Sequence, residues 1–460
     1  MATENKLGVM PIGKLIWNMS LPIIASMLVQ ALYNIVDSMF VSRISQDALT
    51  AVSLAFPAQQ LMIGLATGTA VGVNAMMGRA LGAMEQRRAD DVAVNGVFLA
   101  LVGAALSAVL GLGFGPALFA YQTGVQHIAQ MGNEYLQVIG GLSVFLFGQV
   151  MFERLLQGTG RTVYSMYTQG LGAIINIILD PIFIFTLGLG VRGAAIATVI
   201  GQCCGMVLAI YFNLTKNHDI RLRFRGFRPN WRIIGGIYAI GLPSVIMMAI
   251  GSLMTFLMNK ILITYHAAHE TAATAYGIFF KINSFVFMPV FGLNNGVVPI
   301  VAYNYGAQNR RRVTETIRRS VTYASAIMLL GMAVFLAAPQ LLLQIFAAGP
   351  ELMAVGVPCL RIVSLSFSFA GACIALGSAM QALGKSIYSM ITSIVRQLVV
   401  LIPAAYLLAR YGATVGNSDL VWWSYPIAEV SSLAVTVIFY IHVYRTLISG
   451  ISDGNAGETI

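Results

Sequence analysis

Charge is what this sequence has least of. Asp, Glu, Lys and Arg make up 10% of its residues while apolar types make up 58%, against ~25% charged in an ordinary soluble domain. No polar block of domain size interrupts the apolar runs, and the longest polar connection extends only from Lys216 to Arg232. A water-soluble fold is excluded, and a polytopic membrane protein is implied. Cysteine is scarce as well: Cys203, Cys204, Cys359 and Cys373 all fall in apolar runs without disulfide or metal-ligand spacing and read as small buried hydrophobes. The few histidines form no zinc-protease pattern, because "HAAHE" at 266–270 has the wrong order for HExxH; it reads as an exposed loop. No phosphate-binding loop is present, so ATP is not the direct energy source. Nor does a nucleophile with a base, or a metal cluster, mark an intramembrane enzyme. The start, "MATENKLGVMPIGK", lacks a short apolar region with a small-residue cleavage site and reads as a retained cytoplasmic tail with Trp17 at the interface.

What the chain does have is twelve apolar windows, centred near Leu28, Gly64, Leu106, Phe145, Ile174, Val199, Gly251, Phe287, Leu329, Phe367, Val399 and Val435. Each reaches the roughly 20 residues needed to cross ~30 Å of hydrocarbon. The expected fold is an all-α integral membrane protein of twelve transmembrane helices. The net charge of +10 follows the same plan. With the N-terminus in the cytoplasm, only Arg43, Arg192 and Arg410 fall on the opposite side, and Lys260, Lys281, Arg361 and Arg396 fall inside spans. The remaining basic residues lie on the cytoplasmic side with both termini, as the positive-inside rule requires. The clusters "RLRFRGFR" (221–228) and "RRR" (310–312) are therefore topology signals that also attract anionic lipid headgroups, and nucleic acid is not an expected partner.

The chain repeats itself. "LLQGTGRTVYSM" (155–166) aligns with "AMQALGKSIYSM" (379–390), and the same offset pairs Gly82, Ala83, Arg87 and Arg88 with Gly306, Ala307, Arg311 and Arg312. Leu21-Pro22 matches Leu242-Pro243 at an offset three residues shorter. Two similar six-helix halves are expected: an N-terminal lobe over 1–215, a basic cytoplasmic linker over 216–232, and a C-terminal lobe over 233–460 with a short cytoplasmic tail. Because six is even, both halves enter the membrane from the same side. Repeat-built transporters place their substrate path between such halves and alternate its exposure by rocking one against the other.

Acids inside the spans are the candidate functional residues. On the first span Gln30, Tyr33, Asn34 and Asp37 fall at i, i+3, i+4 and i+7, one face of a helix. A charge facing lipid costs at least ~2.5–3.5 kcal/mol, so intramembrane acids turn inward and are usually functional. Two readings stay open for Asp37: an inward-facing functional acid, or a solvated residue at the outer end of its helix. The fifth span carries Asn176 and Asp180 at i and i+4, followed by Pro181. Proline donates no hydrogen bond, which frees the carbonyl of Ile177. Carboxylate, amide and freed carbonyl together suit a small cation; a mere kink with Asp180 paired to a neighbouring donor is the other reading. Both acids belong to the first half, since the repeat offsets place Met258 or Ile261 opposite Asp37 and Leu401 or Ala404 opposite Asp180. If the two carboxylates converge, they can hold H+ or Na+ and release it when the pocket opens to the other side.

These residues also carry a resemblance. From "SLPIIASMLVQALYNIVDSMFVSRI" through "PVFGLNNGVVPIVAYNYGAQNRRRV" to the last helix, the chain resembles the multidrug and toxic compound extrusion (MATE) family, and within it the bacterial and archaeal branch related to the DNA-damage-inducible efflux proteins. The resemblance implies two six-helix lobes arranged as a V around a central cavity. It implies an antiporter of the cell (inner) membrane that exports amphipathic, often cationic organic compounds in exchange for H+ or Na+, with no cofactor. It further implies an ion site in the first lobe at Asp37, Asn176, Asp180, Thr198 and Tyr135, with Na+ suited to the first four, and a bending role for Pro22. Members of another branch carry acids in the seventh and eighth helices, where this chain has Asn259, Lys260 and Lys281. A second-lobe cation site is therefore not expected. Glu429, in the last span, is open between function and a structural hydrogen bond.

Flexible thioethers adapt to varied ligands, so Met151, Met254 and Met258 join Gln30, Tyr33 and Asn34 as tentative cavity residues, although membrane helices are rich in Met for packing alone. The alternatives are a flippase for lipids or lipid-linked precursors, expected to have a more basic cavity, and a major facilitator type transporter, whose basic signature "GRALGAMEQRRAD" does not match. A monomer with small organic substrates and membrane lipids as partners is expected.

Overall fold

The structure is a computed structural model and describes residues 5–346 and 348–451. Among the described residues ten helices are long and apolar enough to cross a membrane, and two bent pairs bring the spans to twelve. In chain order these are α1 (Ile12–Ser42), α2 (Gln46–Gly82), α3 (Gln86–Gly113), α4 (Gln126–Gly141 with Val144–Gly158), α5 (Thr162–Thr186) and α6 (Gly190–Thr215). There follow α7 (Trp231–Tyr265), α8 (His269–Gly306), α9 (Arg310–Ala337), α10 (Pro350–Ser364 with Phe367–Ala382), α11 (Ser386–Val415) and α12 (Ser418–Ile448). Helix is the outcome these apolar runs require, because hydrocarbon offers no partner for a backbone N–H or C=O outside its own segment. Each expected centre falls inside one of these spans.

The repeat seen in the sequence is also a repeat of geometry. The bends in α4 and α10 are 47° and 50°. Each of these helices ends in the same way, on a glycine in left-handed conformation, Gly160 at φ +86° and Gly384 at φ +71°. The next amide then reaches back to a carbonyl of the last turn, Arg161 N to Leu156 O at 2.7 Å and Lys385 N to Met380 O at 2.8 Å. Only glycine adopts this conformation without steric cost, which is why both copies keep it. Met84 and Gln308, at matching places after α2 and α8, share a positive φ of 59° and 55°.

The described residues form two compact units, the first 5–245 together with Ala302–Ala307, the second Ile246–Val301 with 308–346 and 348–451. The division falls inside α7 and near the end of α8, not at the basic segment 216–232, which lies within the first unit. Backbone contacts in that unit explain this. A Cβ on Gly72 of α2 would stand 2.2 Å from Ile237 O, and one on Gly82 would stand 1.9 Å from Tyr303 O. Glycines at these positions let α2 touch the first half of α7 and the last turn of α8 backbone to backbone, the packing that holds membrane helices together where no hydrophobic effect drives them.

Elsewhere in the first unit α1 packs on α5, α5 on α6, and α6 on the second half of α4, while α2 packs on α3 and both halves of α4. In the second unit the latter half of α10 packs on α9 and α12, and α12 on the π-helical stretch of α11, Val395–Leu401. Cys359 and Cys373 are buried as expected, whereas Cys203 and Cys204 are only half-buried.

Candidate ion-coupling site

The site is built by the crossing of α1, α5 and α6. Helices α5 and α6 meet at Gly172 and Gly201, where a Cβ on Gly201 would lie 2.6 Å from Gly172 O. This close crossing carries Asn176, one turn further along α5, onto Thr198 of α6. With its amide set to satisfy both neighbours, Asn176 donates to Asp180 Oδ2 at 3.0 Å, and its oxygen accepts from the Thr198 amide at 3.1 Å and from Thr198 Oγ1 at 3.2 Å. Asn176, Asp180 and Thr198 are all buried, Asp180 completely at 0% exposure. Just beyond Asp180, Pro181 ends the regular helix and Ile182–Thr186 continues as a π-turn. Such a register change is a common device for aiming a side chain at a functional site.

Helix α1 brings the second acid. The carboxyl groups of Asp37 and Asp180 lie within hydrogen-bonding reach of each other, with Tyr33 beside both. Asp37 is half-buried and lines a cleft of about 210 Å³ together with Ser38, Val41, Leu49 and Phe56. Its Oδ1 is buried with no donor directed at it. Helix α1 continues past Asp37 to Ser42. Tyr135 of α4 is buried near the pair, and its hydroxyl donates to Gln59 Oε1 at 3.5 Å.

Pro22 lies inside α1, ten residues after its start, and not at its first turn. Lacking an N–H, it leaves the carbonyl of Asn18 without its helical partner, and Thr162 Oγ1 approaches that oxygen at 3.5 Å. The carbonyl that Pro22 leaves free is thus met by the first residue of α5.

The remaining residues are placed as follows. Gln30 and Asn34 are exposed and Tyr33 is half-buried. Met151, Met254 and Met258 are core side chains with 1%, 8% and 0% exposure, which corrects their assignment to a cavity. Met151 fills the space beside Gly96 of α3, and Met254 accepts from the Tyr276 hydroxyl at 3.6 Å. Lys260 and Lys281 are exposed. Glu429 is buried in the second unit with Arg396 as its partner, Nη1 to Oε2 at 3.4 Å. The "HAAHE" segment is not simply an exposed loop. His266 is 4% exposed, its ring 6.0 Å from that of Trp422, because the α7–α8 turn folds down onto the start of α12.

One buried acid escaped the sequence reading. Glu153 of α4, 4% exposed, accepts hydrogen bonds from Gln149 at 2.9 Å, Thr168 at 3.0 Å and Gln169 at 2.7 Å. The signal was present in "VMFERLLQG", a carboxylate inside an apolar window, but its partners on α5 are visible only once the helices pack. Among the described residues no group of three or more His, Cys, Asp or Glu is placed to hold a metal ion.

The chain has relatives among known proteins. The model of the family described as MatE matches residues 22–182 and 243–407. The multidrug export protein MepA of Staphylococcus haemolyticus is 27% identical over 432 residues, 93% of each chain. A protein of the same name from Staphylococcus aureus is 25% identical over 434 residues, 94% of each. Among solved structures, MATE in the straight conformation superposes with a TM-score of 0.91 at 26% identity over 98% of this chain and 100% of that one. A MOP superfamily transporter from Pyrococcus furiosus gives 0.90 at 26% identity over 97% and 99%, and is described as having a binding pocket of reverse polarity that suggests a different function.

Proposed function

The chain belongs to the MatE family, and from that premise we propose that it is a multidrug efflux antiporter that exports amphipathic, often cationic organic compounds in exchange for H+ or Na+. It is a transporter and not an enzyme, and it is a multi-pass protein of the cell membrane. The observation that carries the coupling is the Asp37–Asp180 pair. Two carboxyl groups at hydrogen-bonding distance in a desolvated site cannot both be ionised without a cation between them, so the pair holds either a shared proton or a metal cation. Asn176 and Thr198 add neutral oxygens of the kind a hard cation accepts. Asp37 borders a cleft while Asp180 is sealed, an arrangement suited to loading an ion from one side and passing it inward.

In this reading Asp37, Asn176, Asp180 and Thr198 bind the ion, Tyr135 orients the pair through Tyr33, and Pro22 lets α1 bend as the ion enters or leaves. The lobes over 1–215 and 233–460, joined by 216–232, rock to expose the substrate path alternately, with both termini in the cytoplasm and the protein acting as a monomer.

The test is efflux of a fluorescent organic cation from proteoliposomes under a pH gradient alone and then a sodium gradient alone. Export driven by either gradient is expected and identifies the ion. If neither gradient drives any of several cations, the antiport reading fails, and lipid or anionic substrates take its place.

A further inference from the structure

A second cleft, of about 520 Å³, lies in the first unit where the chain before α1, the α4–α5 turn and the segment after α6 come together. Its polar lining includes Lys6, Arg161 and Asp219; Val163, Tyr164 and Tyr167, from the first turns of α5, form another wall. All three segments are reached after an even number of spans, so they share the membrane face of the N-terminus.

The charges in this cleft do not balance. Asp219 is already engaged, its Oδ2 3.0 Å from Arg161 Nη2 and its Oδ1 accepting from Asn5 Nδ2 at 3.1 Å. Lys6 Nζ donates to a neutral acceptor, Asn18 Oδ1, at 2.8 Å. Arg161 Nε is buried with no acceptor at all. The backbone is shaped to bring these two cations together: Gly160, at φ +86°, has no side chain, and a Cβ there would come within 3.0 Å of Lys6 Cε. Burial, and after it the Arg161 guanidinium, holds the Lys6 ammonium below its ordinary range, as expected of a cation lacking a counter-charge. One negative charge is missing, with an ammonium and a guanidinium N–H to receive it. Singly charged phosphate oxygens fit that pair of donors.

The other wall decides what carries the phosphate. Val163 and Tyr167 are 37% and 52% exposed at the end of a membrane span, the level at which aromatic rings meet lipid headgroups. We infer that this cleft binds the headgroup phosphate of an anionic membrane lipid, with Lys6 and Arg161 on the phosphate and the acyl chains along Val163 and Tyr167. A zwitterionic lipid brings an ammonium of its own and leaves the charge deficit uncorrected. The lipid ties the segment before α1 to the α4–α5 turn.

The experiment titrates the purified full-length protein with phosphatidylglycerol, with phosphatidylcholine of the same chain length, and with inorganic phosphate, reading bound species by native mass spectrometry. Phosphatidylglycerol is expected to bind in preference to phosphatidylcholine, and Lys6→Gln to weaken only the former, about five- to tenfold for the loss of one cation at the membrane surface. Equal binding of the two lipids, or an unchanged preference in a folded Lys6→Gln, overturns the site. Displacement of phosphatidylglycerol by an equal concentration of inorganic phosphate overturns the lipid as the source. Should Lys6→Gln fail to fold, Tyr167→Ala serves instead: it must weaken lipid binding while leaving inorganic phosphate unaffected, and the absence of that split refutes the acyl wall.

Discussion

Asp37 of α1 and Asp180 of α5 present their carboxyl groups to each other inside the first unit, although three whole spans lie between them in the chain. Either acid alone would be a buried group seeking a donor; together they form a site whose charge must be balanced from outside. Asp37→Asn and Asp180→Asn are each expected to abolish gradient-driven export, because an amide cannot exchange a proton and removes one charge from a cation site. Membrane insertion should stay normal, since an amide of the same shape keeps the packing. Transport assays in proteoliposomes, with protein amount measured in parallel, check this. Full export by both variants would sink the coupling proposal.

Thr198→Val separates the two ions. The hydroxyl donates to the Asn176 oxygen at 3.2 Å, and its loss removes a neutral oxygen from the site while keeping the shape. A sodium-coupled protein should need about five- to tenfold more sodium for half-maximal export, the consequence of losing one interaction worth about 1–1.5 kcal/mol. A proton-coupled protein should show a nearly unchanged dependence on the pH gradient. Export measured against each ion's concentration distinguishes the two.

Gly72 tests the backbone contact between α2 and α7. A Cβ there would lie 2.2 Å from Ile237 O, which belongs to a helix backbone and cannot swing aside. Gly72→Val should therefore cost about 1–3 kcal/mol through overpacking and lower Tm in detergent. Gly113→Ala is the control, since nothing lies within 4 Å of a Cβ at that position.

His266 makes the second unit sensitive to acid. Its Nδ1 accepts from the Ala268 amide at 3.1 Å, so the neutral ring carries its proton on Nε2, which is buried 4.0 Å from Asp419 Oδ1. Burial lowers the pKa of this imidazole below its ordinary value; the Asp419 carboxylate opposes the shift and His269 adds to it. The folded protein therefore binds a proton less readily than the unfolded chain, and stability falls as pH drops below the unfolded value of about 6.5. Tm measured at pH 7.5 and pH 5 should fall less in His266→Gln than in the parent. An equal fall in both would show that His266 plays no part.

Sequence alone determined the class, the spans and the repeat. Each helix must satisfy its own backbone in hydrocarbon, so apolar length suffices to locate it, and the glycines ending α4 and α10 announce the same turn twice. Asn176 and Asp180 were legible as a pair because i and i+4 share a face of any helix, and Asp37 because a carboxylate in an apolar run demands an explanation. What lies between helices was not legible. Packing decided that Gly172 and Gly201 would set Asn176 against Thr198, that Asp37 would meet Asp180, and that Glu153 would collect three donors from α4 and α5. It also decided that Met151, Met254 and Met258 would fill cores, because a methionine's side chain suits either a cavity or a core and only its neighbours choose. The boundary of the compact units inside α7 has the same origin: it depends on how closely two backbones approach, and local periodicity carries no information about that distance.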